Sequence, residues 1–434
     1  MNTTAKVLLL LLMTAALPCG AQTNGSNSPY SRYGYGLLSD GGNAFNKGMG
    51  GTAYGMRKGN ELNTKNPASY SAIDSLTFLF DVGLTMQSAV IKQGGNKMNL
   101  QNTAIDYISA GFRLRPRLGL SLGLRPYSTI GYETSHTDPV ETDVPTEITQ
   151  TTKFSGDGGL HDVYIGMGWE PVKGFSVGFN MAYLWGTMDH YTLTSVNDGY
   201  ASSRRYLYKA DIRTYKVDFG VQHTLNLAKR HDLTIGVTYG LGHDVNRKAL
   251  YCNQTITSST ITSSDTLVAR NAFSLPHTLG LGLAWTYNNS LRVGADYTFE
   301  KWKGTKSPEY NALTNTYDCH TDGFDNRHKV NIGVDYHPKP NGVHWRDHVR
   351  YKAGFGFSTP YTRINGQKGP NSLQASLGVG IPITNLYNNR SLLNISVQYE
   401  RINPRVAGMI KEEYFRLCLG LSFNERWFYK WKAE

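Results

Sequence analysis

The sequence predicts an all-β fold, a transmembrane antiparallel β-barrel of about 14 strands with an N-terminal hatch inside the lumen. Three observations favour this fold. The 434-residue chain has 46 Gly and 28 Tyr, and 18% of its residues are charged, against about 25% in an average soluble domain. The leader is followed by no apolar run long enough for a helical membrane span. Segments that alternate between apolar and small or polar residues recur along the chain, as in strands with one face in lipid.

Residues 1–21 have the pattern of a secretory signal peptide. Lys6 supplies the positive charge, residues 7–13 form a short apolar core, and small residues precede the expected cleavage site. The alternative is a lipoprotein signal in which Cys19 carries the lipid, and Pro18 directly before that cysteine disfavours it. The mature chain is therefore expected to leave the cytoplasm.

Residues 22–74 differ from the rest of the chain. They are rich in Gly, Asn, Ser and Tyr and lack the alternating pattern. Fourteen strands enclose a lumen too wide for the side chains of the wall to fill. The segment is therefore predicted to fold inside the lumen as a hatch, and the alternative is a disordered periplasmic tail. The predicted division is a signal peptide at 1–21, a hatch at 22–74 and a barrel at 75–434.

The alternation gives each predicted strand an apolar face and a small or polar face. In residues 76–90, Phe78 and Phe80 share one face, whereas Asp81 and Gly83 lie on the other. A large soluble β-sandwich or propeller also alternates, but its strands are rarely so long. We predict strands at about 75–91, 103–115, 117–134, 149–170, 174–190, 203–226, 232–247, 267–288, 290–303, 324–337, 347–365, 372–384, 391–404 and 411–428.

The predicted connections alternate in length. Short turns are expected at 115–117, 170–174, 227–232, 288–290, 337–346 and 384–391, and long polar loops at 92–102, 134–150, 189–205, 243–266, 303–325 and 365–371. In bacterial outer-membrane barrels the short turns face the periplasm and the long loops face outward. Aromatic residues near the strand ends are typical of interfacial girdles, namely Trp169, Tyr183, Trp185, Trp285, Trp302, Tyr399, Trp427 and Phe428.

Short motifs resemble the FadL-type long-chain fatty-acid transporters. The glycines of the stretch 48–55 are followed by Asn66-Pro67-Ala68 just before the first strand, which is similar to the hatch of that family. The resemblance implies a hatch-gated channel for hydrophobic, fatty-acid-like small molecules. It assigns the hatch and gating role to Gly48, Gly50, Gly51, Gly55, Asn66, Pro67 and Ala68.

A narrower resemblance concerns a related group common in Bacteroidetes. It rests on residues 28–34, 66–70, 121–128 and 423–428. One branch of that group is the plug subunit of the type 9 secretion translocon. The resemblance therefore leaves a second function open, a non-enzymatic plug or gating subunit with a translocon protein as partner.

Two further sets of residues are candidates for function. Arg125, Arg292 and Arg416 are predicted to point inward, where they could contact a ligand carboxylate or hatch acids such as Glu61. The other interpretation is that they form internal salt bridges. Pro126, Pro276 and Pro382 are candidate strand kinks, because proline interrupts a ladder of hydrogen bonds. The other interpretation is a bend at a strand edge without function.

The formal net charge is +11. The chain has no run of Lys or Arg longer than two, which disfavours nucleic acid as a partner. The expected partners are outer-membrane lipid and lipopolysaccharide, together with the hydrophobic ligand. The expected location is the outer membrane of a Gram-negative bacterium.

Signals for catalysis are weak. The sequence has no H-E-x-x-H, G-x-S-x-G or phosphate-binding loop. His344 and His348 are four residues apart in a predicted turn, where a metal site is not favoured. Cys252 and Cys319 could pair, and Cys418 is predicted to be buried in a strand. No enzyme activity, cofactor or metal is expected.

Overall fold

A computed structural model describes residues 28–75, 77–140, 148–198, 201–340, 342, 344–383, 391–405 and 408–425. The predicted signal peptide at 1–21 and the predicted girdle residues Trp427 and Phe428 lie outside these ranges. In the described part of the chain, no helix has the length and hydropathy of a membrane span.

Fourteen antiparallel strands form a closed barrel, which confirms the predicted fold class. In chain order β1 to β14 are Phe78–Gln93, Asn96–Arg115, Leu118–Pro139, Thr149–Val172, Phe175–Val196, Ser203–Ala228, His231–Gly240, His277–Tyr287, Leu291–Lys301, Arg327–Tyr336, Arg350–Ser358, Asn371–Ile383, Ser391–Asn403 and Lys411–Glu425. Each strand pairs with the next, and β1 pairs with β14 from Phe78↔Glu425 to Lys92↔Lys411.

The alternating pattern places apolar side chains on the outside of this barrel. On β8, Leu279, Leu281 and Leu283 are 38%, 43% and 49% exposed, whereas Ala284 is buried. The cross-strand neighbours of Leu281 continue this belt with Tyr297 on β9 and Val237 on β7. A continuous apolar outer face fits a wall that is surrounded by lipid.

The predicted aromatic girdle is right at most described positions and wrong at Trp302. Trp169 and Tyr183 are 52% and 49% exposed, but Trp302 is fully buried. Trp302 follows the end of β9, where the alternation turns it inward. Its ring lies 4.6 Å from the ring of Tyr361 in a cluster over the extracellular end of the lumen.

The extracellular ends of several strands differ from the prediction. The expected loop at 92–102 is wrong, because β1 and β2 continue to the two-residue turn Gly94-Gly95. The expected loop at 243–266 contains a hairpin of Ala249–Thr257 and Thr260–Ala269, which extends β6 outward. Ala249, Tyr251, Leu267 and Ala269 at its base belong to or pack against the buried cluster over the lumen. Most residues from 253 to 266 are polar, so the hairpin shows little apolar alternation.

Two predicted strands are also interrupted. The strands expected at 232–247 and 267–288 leave the barrel sheet after Gly240 and rejoin it at His277. Between these points, His243–Val245 pairs with Phe273–Leu275 in a separate two-stranded ladder. Phe273 and Leu275 are buried in the cluster that caps the lumen, so burial over the lumen displaces this part of the chain from the wall.

Candidate functional site

Residues 28–75, here called the inner segment, contact the inward faces of the barrel strands. They contain a 3-10 helix at Pro29–Arg32, a short strand at Leu37–Leu38, an α-helix at Ala44–Lys47 and a second 3-10 helix at Pro67–Ala72. Tyr30 Oη donates to the carbonyl oxygen of Ile410 near the extracellular end of β14. The second 3-10 helix packs at the other end, against β4, β5 and their neighbours. The inner segment therefore extends through the lumen.

Glycines of the wall face this segment on twelve strands, and we call them the glycine ring. A Cβ atom at any of them would lie against atoms of the inner segment. They are Gly111, Gly119, Gly168, Gly178, Gly220, Gly236, Gly282, Gly294, Gly333, Gly354, Gly378 and Gly420. At Gly236 and Gly354 the obstructing atoms belong to backbone of the inner segment. The inner segment and the wall are thus in direct contact, with no room for a side chain between them.

The predicted hatch glycines lie on the other side of this contact. Gly50 and Gly51 have φ of +66° and +86°, a conformation that glycine adopts without strain. A Cβ at Gly50 would lie 2.6 Å from the backbone nitrogen of Phe355, and one at Gly55 would lie 2.8 Å from that of Ala284. Gly48 packs against Lys352. These glycines permit close packing of the inner segment on the wall.

The Asn66-Pro67-Ala68 motif begins the second 3-10 helix. Asn66 Oδ1 accepts a hydrogen bond from the Ala68 nitrogen at 3.1 Å, which caps the helix. Asn66 Nδ2 donates to the carbonyl oxygen of Tyr54 at 2.8 Å, so the motif joins two parts of the inner segment. Pro67 packs against Gly178 and its neighbours in the wall. The motif therefore has a defined structural role.

Charged groups also hold the inner segment. Asp296 Oδ2 on β9 accepts from the backbone nitrogens of Ala53 and Tyr54 at 2.5 and 3.0 Å. Asp40 forms ion pairs with Lys329 and Lys65. Burial alone would raise the pKa of Asp40, but these two ammonium groups hold it well below its usual range. Asp40 is therefore a carboxylate at neutral pH.

The three predicted arginines point inward but do not pair with Glu61. Arg125 Nε lies 2.9 Å from Asp162 Oδ1, and Arg416 Nη1 lies 2.5 Å from Glu400 Oε2. Both partners belong to the wall. Arg292 stands beside Asp335 on the next strand, and its Nη1 has no hydrogen-bond partner among the described residues.

Glu61 is paired instead with an arginine outside the predicted set. Its Oε1 accepts from Arg350 Nη1, and both side chains are almost fully buried. Arg350 is the first residue of β11, and no pattern in the sequence marks it as a partner of the inner segment. Arg125, Arg416 and Arg350 therefore all form ion pairs inside the barrel.

The wall itself is open between β2 and β3. Their ladder runs from the periplasmic turn to Ile108↔Leu124 and ends there. The outer parts of these strands, 96–107 and 125–139, are described in full and form no ladder with each other. We call this opening the wall slot. Pro126 lies just beyond Leu124, at a bulge in the pairing of β3 with β4, so this predicted kink coincides with the slot.

The inner segment covers part of the free edge of β3. Leu37 and Leu38 pair with Thr129 and Ser128 of that strand. The nitrogen of Ser39 also donates to the carbonyl oxygen of Tyr127 at 2.9 Å. These contacts satisfy backbone groups that would otherwise be unpaired at the edge of the slot.

A cavity of about 440 Å³ lies behind the wall slot. Its lining includes Ala104, Ile105 and Pro126 from the edges of the slot, together with three ion pairs. These pairs are Lys47–Asp106, Lys329–Asp40 and Arg416–Glu400. On the outside, Ile105 and Leu124 are 62% and 40% exposed. The opening therefore has an apolar mouth and a charged interior.

The other two prolines differ in their surroundings. Pro276 directly precedes β8 and lies where the chain rejoins the barrel sheet. Pro382 pairs with Leu392 in an uninterrupted ladder of β12 and β13. Its carbonyl accepts from Trp345 Nε1 at 3.1 Å. The chain therefore leaves the barrel sheet next to Pro276, whereas the ladder is continuous at Pro382.

The cysteines and histidines form no site of their own in the described part of the chain. Cys252, Cys319 and Cys418 are all free thiols, and Cys418 is buried as predicted. The described residues include no group of three or more His, Cys, Asp or Glu with metal-binding geometry.

Comparisons with solved structures agree on the fold. The chain is similar to the Pseudomonas putida toluene transporter TodX, with a TM-score of 0.60 and 15% identity over 90% of this chain and 99% of that one. It is similar to a Pseudomonas aeruginosa FadL homologue, with a TM-score of 0.60 and 14% identity over 88% and 98% of the two chains. The corresponding values for the Ralstonia pickettii toluene transporter TbuX are 0.55, 13%, 88% and 97%. None of the curated proteins compared with the chain matches it.

The FadL-type architecture inferred from short motifs is thereby confirmed at the level of fold. The closed barrel with its apolar outer belt is an integral protein of the outer membrane of a Gram-negative bacterium. The sequence model of one family, BamG, matches residues 4–434. The chain therefore belongs to the BamG family.

Proposed function

We propose that the protein is a non-enzymatic outer-membrane channel of the FadL type, which passes an amphiphilic, fatty-acid-like molecule through the wall slot. The observation that carries this proposal is the end of the β2–β3 ladder at Ile108↔Leu124 with a 440 Å³ cavity behind it. In this proposal residues 1–21 are a signal peptide, residues 22–74 act as a hatch, and residues 75–434 form the barrel.

The direction of the path follows from the packing of the inner segment. The glycine ring places backbone against backbone on many strands, and close-packed contacts of this kind leave no space for a ligand. A straight path through the lumen would need the whole segment to leave. A lateral path through the wall slot needs only local movement near Leu37 and Leu38. The proposal is therefore a lateral channel with a seated hatch.

The chemistry of the opening favours an amphiphile over a plain hydrocarbon. The mouth presents Ile105 and Leu124 at the height of the lipid-facing belt. The interior presents the Lys329–Asp40 and Arg416–Glu400 ion pairs. A molecule with a long apolar chain and a carboxylate head can keep its chain at the mouth while its carboxylate binds the cationic side chains of the interior. TodX and TbuX are named as toluene transporters, and toluene has no such head.

A tryptophan at the slot tests this proposal. Ala104 lines the cavity beside Ile105, so Ala104→Trp would fill the passage. Ala353 is exposed on β11 on the outer face, so Ala353→Trp is a matched control with the same change in volume. Both variants are reconstituted in vesicles, and uptake of labelled oleate is measured.

The proposal predicts that Ala104→Trp lowers oleate uptake to the level of protein-free vesicles, whereas Ala353→Trp retains it. Equal uptake by the two variants and the parent would contradict the lateral path.

A second candidate is a plug or gating subunit of a protein secretion complex, with a translocon protein at the outer wall. The specific observation in its favour is the filled lumen, since the inner segment is fixed by the glycine ring and by Asp296 and Arg350. This candidate predicts a stoichiometric protein partner after gentle extraction, with no loss of the complex in Ala104→Trp.

A further inference from the structure

We infer that the outer wall carries a binding site for a phosphate group of the glycolipid in the outer leaflet. The site is a cavity of about 240 Å³ at the extracellular ends of β9 to β13, here called the rim cavity. Its lining includes Lys303, His328, Lys368 and Arg405. Three connections between strands therefore supply cations to one place.

The rim cavity lies at the upper edge of the lipid-facing belt. His328 is exposed and shares the outward face of β10 with Val330 and Ile332, which are 41% and 49% exposed. Tyr297 on β9 is also exposed, and its Oη lies 2.8 Å from Nδ1 of His328. Tyrosines in barrels of this kind mark the boundary between hydrocarbon and head groups. The cavity therefore opens at the height of the lipid head groups.

The charge of the rim cavity is positive. Lys303, Lys368 and Arg405 are exposed, and none of them forms an ion pair with any residue that the structure describes. The one carboxylate in the described lining, Asp325, is occupied by Arg363, whose Nε and Nη2 each lie 3.0 Å from an oxygen of Asp325. The three exposed cations are thus available to an anion.

The cations stand on a rim that hydrogen bonds hold in place. The nitrogen of Lys303 donates to Asn326 Oδ1 at 3.0 Å, and the nitrogen of His328 donates to Thr359 Oγ1 at 2.8 Å. Arg405 donates to Asn371 Oδ1 at 2.6 Å and retains other N–H groups. Arginine and lysine bind phosphate oxygens through short, charge-assisted hydrogen bonds. A fixed basic rim at head-group height fits the phosphate of a membrane glycolipid better than a free anion.

The test is a lipid titration of the full chain in detergent micelles, followed by native mass spectrometry. The probes are purified bisphosphorylated lipid A, its dephosphorylated form and inorganic phosphate. The triple variant Lys303→Gln, Lys368→Gln and Arg405→Gln removes the rim charge. The matched control, Lys173→Gln, Lys229→Gln and Arg230→Gln, removes three exposed cations from the short turns at the opposite end. Heat-modifiable gel mobility checks that each variant is folded.

Each basic residue near an anionic lipid contributes roughly fivefold to affinity. The rim triple variant is therefore expected to bind bisphosphorylated lipid A roughly 100-fold more weakly than the parent, and the control triple variant to bind it as the parent does. Equal binding by the rim variant and the parent, or equal binding of dephosphorylated lipid A, would overturn the inference. Saturation by inorganic phosphate at the affinity of lipid A would assign a free-phosphate site and overturn the glycolipid assignment.

Discussion

Replacement of Gly354 by alanine tests whether the inner segment is seated on the wall. A Cβ at this position would collide with the backbone of Met49 and Gly50. Backbone cannot rotate away as a side chain can, so the segment has to shift. Overpacking of this kind costs about 1–3 kcal/mol. If the cost falls on the seated state alone, the unseated fraction rises roughly 5- to 150-fold.

Gly356 on the same strand provides the matched control. It also faces inward, but a Cβ there would first meet Asn331 Oδ1 at 3.0 Å and then Gly50 O at 3.4 Å. A side-chain amide can yield by this amount, so Gly356→Ala is expected to behave as the parent.

Single-channel conductance in planar bilayers measures the outcome. Gly354→Ala is expected to show frequent ion-conducting openings, while the parent and Gly356→Ala remain closed. If Gly354→Ala is folded by heat-modifiable gel mobility and conducts no more than Gly356→Ala, the reasoning about backbone contact is refuted.

Three further predictions concern the charged groups that hold the inner segment. Asp296→Ala removes the acceptor of two backbone N–H groups, which costs about 1.5–3 kcal/mol per charged hydrogen bond, and faster trypsin cleavage of the inner segment is the expected readout. Lys329 depresses the folded-state pKa of Asp40. The contribution of Asp40 to stability is therefore present above the unfolded pKa of about 3.9 and is lost as pH falls below it. Asp40→Asn should flatten the acid limb of a conductance–pH curve, and an unchanged limb would contradict this assignment. Arg350→Met leaves the buried Glu61 with Lys58 Nζ at 3.4 Å as its remaining ion-pair partner among the described residues and should lower the free energy of unfolding by up to about 3–5 kcal/mol. Arg350→Met combined with Glu61→Gln should recover much of the loss in a double-mutant cycle of urea unfolding.

The barrel was predictable because its physical cause is local. Each lipid-facing strand must alternate, so Leu281 and Gly282 can be assigned to opposite faces without knowing which strands they pair with. The hairpin at 249–269 is not marked by alternation, because most residues from 253 to 266 are polar and its apolar residues pack on the lumen cluster near its base rather than on lipid. Trp302 was misplaced because its position at a strand end does not show whether it points outward.

The contacts of the inner segment could be predicted only in part. The glycines at 48–55 and the Asn66-Pro67 turn indicate tight packing, and the structure shows what they pack against. The Arg350–Glu61 pair joins residues 289 positions apart, and such a pairing depends on register that no single sequence displays. The wall slot is equally non-local, and Pro126 was the one local signal near it.

Native mass spectrometry of tagged protein released gently from its own outer membrane tests the proposed function most directly. The lateral-channel account predicts one small amphiphilic adduct per barrel, which is lost on collisional activation and is absent from Ala104→Trp. A stoichiometric protein partner without such an adduct would contradict that account and would favour the plug or gating subunit.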